Sequence, residues 1–188
     1  FIAVIGLGGT IAKKYARKAG TRELDIESPA AERILARCPV SIPIQVYSLL
    51  RLDSLDMDNG HRQQVYDACM KCPAHRILLE HGTDTAKKTA EKLDLGGLES
   101  KTIVIYGGSV PEQFRNSDGD FHFGSALTAV QILPPGVYIS MHGIVGHHSQ
   151  IYKDQETGMF KKLNVKPKTP VIQESEKPYW LIELKPGC

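Results

Sequence analysis

The chain has 188 residues, of which 41% are hydrophobic and 23% charged, and its formal net charge is +2 at pH 7. That length is enough for one domain with a buried core. The small, scattered charge argues against a nucleic-acid partner, and the apolar runs are too short for a membrane span. Four cysteines in a chain of this length do not resemble a disulfide framework. The chain opens on an apolar segment without a charged leader, so we expect a cytoplasmic protein.

Five apolar, strand-length segments alternate with helix signals along the chain. Strands are predicted at residues 1–7, 42–50, 76–80, 102–106 and 136–141, and helices at residues 29–35, 59–70, 85–93 and 119–133. Ser28, Asp58 and Asp118 are suitable N-caps, and Pro29 suits a first helical position. Strands that alternate with helices predict an α/β domain with a doubly wound, mostly parallel sheet flanked by helices.

Two stretches lack this periodicity. Residues 13–27 are polar and are predicted to form a loop that opens and closes over a site. Beyond residue 151 the pattern weakens, so the domain is assigned to residues 1–160 and a docking tail to residues 161–188. The tail contains an apolar run, residues 179–182, that is too hydrophobic to remain in water. It must fold back on its own sheet or cover a partner subunit.

Polar residues follow the carboxyl ends of the predicted strands, which is where open parallel sheets bind their ligands. They are Thr10 after the first strand, Ser54 after the second, His81, Thr83 and Asp84 after the third, Gly107, Gly108 and Ser109 after the fourth, and Lys153 shortly after the fifth. Any one of them is more often a turn residue or a helix cap. As a set, they predict a site where two threonines, a serine, an aspartate and a lysine converge.

The glycines that follow the first strand lie where a dinucleotide-binding fingerprint would lie. Gly6 and Gly8 supply its first two glycines, but Ile11 occupies the third position and a polar stretch follows instead of a helix. We therefore expect no nicotinamide, flavin or other cofactor. Glycines here would instead let the backbone approach a small ligand, with N–H groups free to bind an anion.

The segment at residues 81–85, His-Gly-Thr-Asp-Thr, is the most specific in the chain. Gly82 permits a tight turn at the end of a strand, and Thr83 and Asp84 lie at a predicted helix start. Asp84 has two interpretations. It is either an N-cap alone or a carboxylate that binds a substrate ammonium beside a helix terminus that favours an oxyanion.

A metal site is not predicted. Cys69 and Cys72 match C-x-x-C at the end of a helix, but no second pair is present to complete a zinc site. His142, His147 and His148 are near one another in sequence, but two are adjacent and no acidic residue precedes them. Surface or supporting roles are expected for these histidines.

Taken in order, these segments resemble the bacterial-type L-asparaginases, in particular the short forms that correspond to the N-terminal domain alone. Residues 8–12 resemble the family's first threonine signature, residues 81–85 its second, residues 53–57 its substrate-binding serine segment, and residues 107–111 and 117–119 the loop and helix start after the fourth strand. The likeness runs from residue 1 to about residue 160.

The resemblance implies a catalytic role for several residues. Thr10 would be the nucleophile that attacks the side-chain amide, and Thr83, Asp84 and Lys153 would match the family's second threonine, aspartate and lysine. A threonine hydroxyl is a poor nucleophile until a base removes its proton, and Lys153 can be that base only if its pKa is lowered. Ser54 and Asp84 would hold the α-carboxylate and α-ammonium of the substrate. The substrate-binding residues so implied are Gly9, Ser54, Leu55, Gly82, Thr83, Asp84 and Ser109.

The chain departs from the family pattern at three positions. The family usually has a tyrosine about a dozen residues after the first threonine, but Arg22, Glu23 and Leu24 occupy that stretch. Tyr15 is then the candidate for the activating tyrosine. Leu55 replaces a frequent glutamine, and His142 stands where asparagine is usual.

The resemblance implies an amidohydrolase that converts L-asparagine to L-aspartate and ammonia. Glutamine is a rival substrate, because one methylene in a pocket is worth only about 1–3 kcal/mol. A catalytically weak amino-acid-binding module on the same scaffold is a second alternative, favoured by Leu55 and the missing loop tyrosine. The family's long members build sites across subunit contacts, so a homodimer, the commonest closed assembly, is expected.

Overall fold

The computed structural model describes residues 1–16 and 24–163. Within these residues the strands are β1 Ile2–Gly8, β2 Lys13–Tyr15, β3 Leu24–Ile26, β4 Ile44–Leu52, β5 Arg76–Glu80, β6 Thr102–Tyr106, β7 Gly136–Met141, β8 Ile144–His147, β9 Ile151–Lys153 and β10 Phe160–Lys162. The helices are α1 Ala30–Arg37, α2 Asn59–Lys71, α3 Ala86–Leu93 and α4 Gly119–Ile132. The five predicted strands and four predicted helices are all present.

Six strands form the central sheet, in the order β4-β1-β5-β6-β7-β8. All neighbouring pairs are parallel except β7 with β8, which is antiparallel. The predicted doubly wound, mostly parallel sheet is therefore confirmed. Strands β1, β5 and β6 lie in its centre and are apolar on both faces, which is why they read as continuous apolar runs rather than alternating ones.

The two faces of the sheet bury separate cores. On one face, Val65 and Cys69 of α2 and Ala90 of α3 pack with alternate strand residues such as Ile77 and Ile103. On the other face, α1 and α4 cover the intervening strand residues; Ile34 and Phe123 pack there with Val4, Leu78 and Val104. The strands' carboxyl ends are left open between the two helical layers, so they are the natural place for a ligand.

The structure corrects the prediction that residues 13–27 form a loop. Lys13–Tyr15 and Leu24–Ile26 pair as the antiparallel strands of a hairpin, and residues 17–23 lie outside the described part of the chain. The hairpin is held by ion pairs of Lys13 with Asp53 and of Lys14 with Glu27. Charged pairs leave no apolar periodicity, which is why the sequence pattern did not reveal the strands.

Two predicted caps are also corrected. Ser28 does not cap α1; Pro29 occupies the N-cap position, and the helix begins at Ala30. Asp118 occupies the N-cap position of α4 without a cap hydrogen bond from its side chain. Asp58, in contrast, caps α2 as predicted and forms a reciprocal capping box with His61.

Strands β8, β9 and β10 were not predicted, because each is short and their region lacks clear apolar patterning. Strand β10 runs across residue 160, where the domain was expected to end. Residues 164–188, which include the apolar run 179–182, lie outside the described residues. The division into domain and tail therefore stays a prediction.

The first testable prediction concerns Glu80: the free energy of unfolding should depend on pH. Its fully buried carboxylate accepts hydrogen bonds from the N–H groups of Ala30 and Ala31 and from the Tyr106 hydroxyl. Burial raises the pKa of Glu80 to about 7, although these hydrogen bonds act in the opposite direction. The folded state therefore binds the Glu80 proton more tightly than the unfolded state does. The stabilisation that results is lost as the pH rises from about 4.5 through about 7. The expected loss is about 3 kcal/mol of unfolding free energy.

The measurement is chemical denaturation at several pH values of the native chain and of Glu80→Gln, whose side chain stays neutral. The difference between the two is needed because buried His81, whose pKa burial lowers to about 4, changes stability in the opposite direction as the pH rises. We expect the native chain to lose stability relative to Glu80→Gln across this window. Parallel pH curves for the two proteins would show that Glu80 does not titrate there.

Candidate active site

An open cleft of about 600 Å³ lies at the carboxyl edge of the sheet. Loops that follow β1, β5, β6 and β7 form its walls, and the turn between β9 and β10 closes one side. Its lining residues are Thr10, Thr83, Asp84, Ser109, Val110, Asp118, His142, Lys153, Thr157, Gly158 and Met159. Five residues predicted for the site, Thr10, Thr83, Asp84, Ser109 and Lys153, therefore share one cleft.

Glycines allow the loops of the cleft to touch backbone to backbone. Gly9 has a φ of 82°, and a Cβ placed on it would lie 2.4 Å from the Cα of Gly82. A Cβ on Gly82 would in turn lie 2.6 Å from the hydroxyl oxygen of Ser54. Since real Cβ contacts are never so close, the loops after β1, β4 and β5 can meet only if both positions are glycine.

This close approach makes Gly9 sensitive to substitution. We expect Gly9→Ala to lower the free energy of unfolding by roughly 2–4 kcal/mol, from a positive φ and a backbone overlap together. Gly124→Ala is the matched control, because its Cβ would meet nothing within 4 Å on α4. It should raise stability by about 0.5–1 kcal/mol. Equal, small effects in urea denaturation would contradict this packing.

Lys153 joins the second threonine segment from across the cleft. Its Nζ donates to Thr83 Oγ1 at 2.9 Å and to Asp84 Oδ1 at 2.5 Å. The β9–β10 hairpin places this lysine, because its cross-strand partner, Phe160, is buried in the core. The Lys153 side chain is only 19% exposed, whereas that of Asp84 is 49% exposed. The Asp84 carboxylate is therefore accessible from the cleft, and its hydrogen bond with Lys153 fixes the position of the lysine side chain.

Thr10 begins a single 3₁₀ turn, Thr10–Ala12, directly after β1. It is half-buried, and its hydroxyl makes no hydrogen bond to another residue that the structure describes. The turn is tied to the sheet by the Gly9 N–H, which donates to Leu52 O at 2.9 Å. A threonine nucleophile also needs a base within hydrogen-bond reach. Among the described residues that contact belongs to Thr83, through Lys153.

Asp118 holds the loop after β6 against the cleft. Its carboxylate accepts the N–H groups of Ser109 and Val110 at 2.9 and 3.1 Å. Burial acts to raise the pKa of Asp118, but these backbone hydrogen bonds outweigh it and keep the pKa below its usual value. The sequence pattern indicated only a cap at Asp118, since its real donors lie nine and eight residues earlier in the chain.

His142 lines the cleft, and the buried His122 hydrogen-bonds to it from behind, an arrangement that the sequence pattern did not reveal. His122 Nδ1 lies 2.8 Å from Gly107 O, so this nitrogen carries the hydrogen, and Nε2 accepts the His142 N–H at 3.0 Å. His142 Nδ1 accepts the Phe160 N–H at 3.1 Å, which leaves Nε2–H to face Ser109 Oγ at 3.3 Å. Burial, followed by proximity to His122, lowers the pKa of His142. The hydrogen bonds therefore fix the tautomer of both rings.

Tyr15 does not line the cleft, so its expected role beside Thr10 stays a prediction. Its side chain is 64% exposed, and its ring stacks on Phe114 with centroids 5.3 Å apart. This pair lines a different depression, with Lys14 and Arg33. The physical reason is the β2–β3 hairpin, which directs the Tyr15 side chain toward the loop after β6.

Ser54 and Leu55 also lie outside the cleft lining. Ser54 is 1% exposed, and its hydroxyl oxygen has no hydrogen-bond partner among the described residues. Leu55 is 71% exposed, because the Asp53 side chain caps the short 3₁₀ turn and directs Leu55 outward. Leu55 does not line the cleft, and its expected contact with the substrate stays a prediction, while Ser54 lies directly behind Gly82.

The C-x-x-C pair has a packing role in the described part of the chain. Cys69 is buried in the core against the sheet, and burial raises the pKa of its thiol to about 12. Cys72 occupies the C-cap position of α2. A thiol with so high a pKa is unreactive at neutral pH.

A family comparison decides the assignment of this architecture. A family model for the N-terminal region of asparaginase matches residues 1–180. The chain belongs to the asparaginase family. The resemblance that the two threonine segments carry in the sequence is thereby confirmed. None of the helices in the part of the asparaginase-family chain that the structure describes is long and apolar enough to cross a bilayer.

Solved L-asparaginases share the fold. The thermostable L-asparaginase from Thermococcus kodakarensis superposes with a TM-score of 0.73 at 24% identity, over 87% of this chain and 51% of that one. A probable cytoplasmic L-asparaginase from Campylobacter jejuni gives 0.73 at 21% identity, over 87% and 53%. L-asparaginase I from Vibrio cholerae gives 0.70 at 21% identity, over 87% and 52%. This chain thus spans about half the length of the solved enzymes it matches.

One relative by sequence has a different name. A glutamyl-tRNA(Gln) amidotransferase subunit from Methanococcus maripaludis is 25% identical over 148 residues, which is 77% of this chain and 35% of that protein. The asparaginase-type domain therefore occurs within longer proteins with more than one name.

Proposed function

We propose that this asparaginase-family domain hydrolyses the side-chain amide of L-asparagine to L-aspartate and ammonia through an ester on Thr10. The observation that carries the proposal is the single cleft in which the Thr10 hydroxyl is unengaged and Lys153 contacts both Thr83 and Asp84. A nucleophile, a proton acceptor and a group that orients the acceptor are the parts that acyl transfer requires.

The proposed reaction has two halves. The Thr10 oxygen attacks the amide carbon as its proton passes to Lys153, which must be in its neutral form to accept it. Backbone N–H groups beside Thr10 and Thr83 stabilise the oxyanion, each by roughly 3–4 kcal/mol. The C–N bond then breaks and ammonia leaves with the transferred proton. Water attacks the resulting ester, which releases aspartate and returns the proton to Thr10.

Asp84 is the proposed ligand of the substrate ammonium, because its half-exposed carboxylate faces the cleft beside the reacting groups. Ser54 is proposed to bind the α-carboxylate of the substrate. Its hydroxyl has no partner among the described residues, which supports a ligand role. Gly82 covers that hydroxyl, so the loop at Gly82 must shift for Ser54 to reach a substrate.

Glutamine is the second candidate substrate. The cleft is open and about 600 Å³ in volume, so one further methylene can be accommodated. The relative named as a glutamyl-tRNA(Gln) amidotransferase subunit supports a family whose members differ in the reactions for which they are named. A catalytically weak binding module is the alternative from another class, favoured by the outward positions of Leu55 and Tyr15.

The experiment that tests the proposal measures ammonia released from asparagine and from glutamine by the purified chain. We expect release from asparagine in excess of that from glutamine, and none from Thr10→Ala with either. Calorimetry with aspartate on the same samples separates the alternatives. Aspartate binding without ammonia release would establish a binding module, and neither binding nor release would contradict the proposal.

We also propose a cytoplasmic homodimer. The tail residues expected to cover a partner lie outside the described part of the chain, so the homodimer rests on the apolar sequence of residues 179–182 alone. The name of the Campylobacter jejuni neighbour supports the cytoplasmic location. Light scattering at micromolar concentration decides the oligomeric state. An active monomer would show that one chain supplies the whole site.

A further inference from the structure

Thr85 occupies the N-cap position of α3, but its side chain makes no capping hydrogen bond to that helix. A threonine is favoured at an N-cap because its side-chain oxygen accepts a backbone N–H two or three residues later. The Thr85 hydroxyl instead donates to Ser54 O at 2.7 Å, across 31 residues of sequence. The hydroxyl therefore makes a tertiary contact in place of the local one that its position offers.

The acceptor of this hydrogen bond lies in the short 3₁₀ turn Ser54–Asp56, which carries the serine proposed to bind the substrate α-carboxylate. Buried side chains hold this turn at both ends. Thr85 donates to the carbonyl of Ser54, and Arg62 donates from Nη1 to Met57 O at 2.7 Å. Ser54 O also accepts the Met57 N–H, but at 3.4 Å. The Thr85 contact is therefore the closer of the two that fix the Ser54 carbonyl.

The second threonine segment contacts Ser54 at two points, three residues apart. At one point the backbone of Gly82 lies so close that a Cβ placed on it would be 2.6 Å from the Ser54 hydroxyl oxygen. At the other point Thr85 holds the Ser54 carbonyl. The two intervening residues both contact Lys153. One short segment thus sets the position of Ser54 relative to the lysine and its partners.

We propose that Thr85 is a positioning residue for substrate binding, and that its hydrogen bond holds the Ser54 turn where the Ser54 hydroxyl meets the substrate α-carboxylate. This inference rests on the proposed function. Thr85 does not line the cleft, so it acts through Ser54 and not on the substrate itself. The α-carboxylate does not react, so a contact with it is made equally in the ground state and in the transition state. Loss of such a contact raises KM and leaves kcat unchanged.

The test measures ammonia release from asparagine by Thr85→Val, which keeps the shape of the side chain but cannot donate the hydrogen bond. We expect KM to rise about three- to tenfold, the usual effect of losing one neutral hydrogen bond, with kcat within about twofold of that of the native chain. Thr85→Ser keeps the hydroxyl and should restore the native KM. Calorimetry with aspartate should give the same order of affinities without turnover.

Thr102→Val is the matched control. Thr102 is also buried, and its hydroxyl also donates to a backbone carbonyl, Leu133 O, but it lies at the start of β6, away from the cleft. Its replacement should leave KM and kcat at their native values. Thermal unfolding of each variant checks that it is folded.

Ser54→Ala shows whether Thr85 acts through Ser54. Adding Thr85→Val to Ser54→Ala should raise KM no further, because no hydroxyl remains to be positioned. An unchanged KM in Thr85→Val, a loss confined to kcat, or an equal effect of Thr85→Val with and without the Ser54 hydroxyl would each overturn the inference while the native chain is active. A native chain that neither releases ammonia nor binds aspartate would contradict the proposed function, and this inference with it.

Discussion

Replacing Thr10 by alanine should lower the rate of asparagine hydrolysis by roughly four orders of magnitude or more, because no other group would form the ester. The fold should be retained. Thr10 is half-buried on a short turn, and its hydroxyl makes no hydrogen bond to another described residue. Ammonia release gives the rate, and thermal unfolding gives the stability of the same sample.

Thr10→Ser is the matched control, since it keeps a hydroxyl at the same position and should keep measurable activity. Thr83→Ala should damage activity nearly as much as Thr10→Ala, because residues that act as a unit are not additive. Full activity in Thr10→Ala, with the loss confined to Thr83→Ala, would move the nucleophile to the second threonine segment.

Lys153→Met should lower the turnover by about two to four orders of magnitude, the usual range for a general base. Methionine keeps the length of the side chain but cannot accept a proton or contact Thr83 and Asp84, as the lysine does. The measurement is the rate of ammonia release under saturating asparagine.

Lys161→Met is the matched control for this change. Lys161 lies on the other strand of the same hairpin, pairs with Asp154 and is 46% exposed. Its loss should leave turnover close to that of the native chain. Equal activity in Lys153→Met and Lys161→Met would remove Lys153 from the mechanism.

Buried parallel strands were the most predictable part of this fold. The bounds of β5, β6 and β7 agree with the prediction to the residue, because each is a short apolar run between turn signals. The predictions that failed concerned elements whose partners are far away in the sequence. The start of α1 is capped by Glu80, some 50 residues later, and the β2–β3 hairpin depends on ion pairs. Local patterns carry no information about either.

In the candidate site, too, some features follow from the sequence pattern and others depend on tertiary contacts. Thr10, Thr83, Asp84 and Lys153 follow strands, and parallel strands bring their carboxyl ends to one edge, so topology alone predicted their convergence. Tyr15 was placed by sequence distance, but the direction of a side chain on a hairpin is set by what packs against it, here Phe114. His122 was missed because it lies inside a helix, and only the structure shows that it hydrogen-bonds into the cleft wall.

The most direct test of the Thr10 ester is to trap it. The chain is mixed with asparagine, quenched in acid during turnover and digested with trypsin. The masses of the peptides are then measured by mass spectrometry. The tryptic peptide that ends at Lys13 contains Thr10 as its sole hydroxyl residue between Phe1 and Lys13. We expect this peptide to gain the mass of one aspartyl group. The same gain on the peptide of residues 77–87, which carries Thr83 and Thr85, with none on the Thr10 peptide, would contradict the assignment.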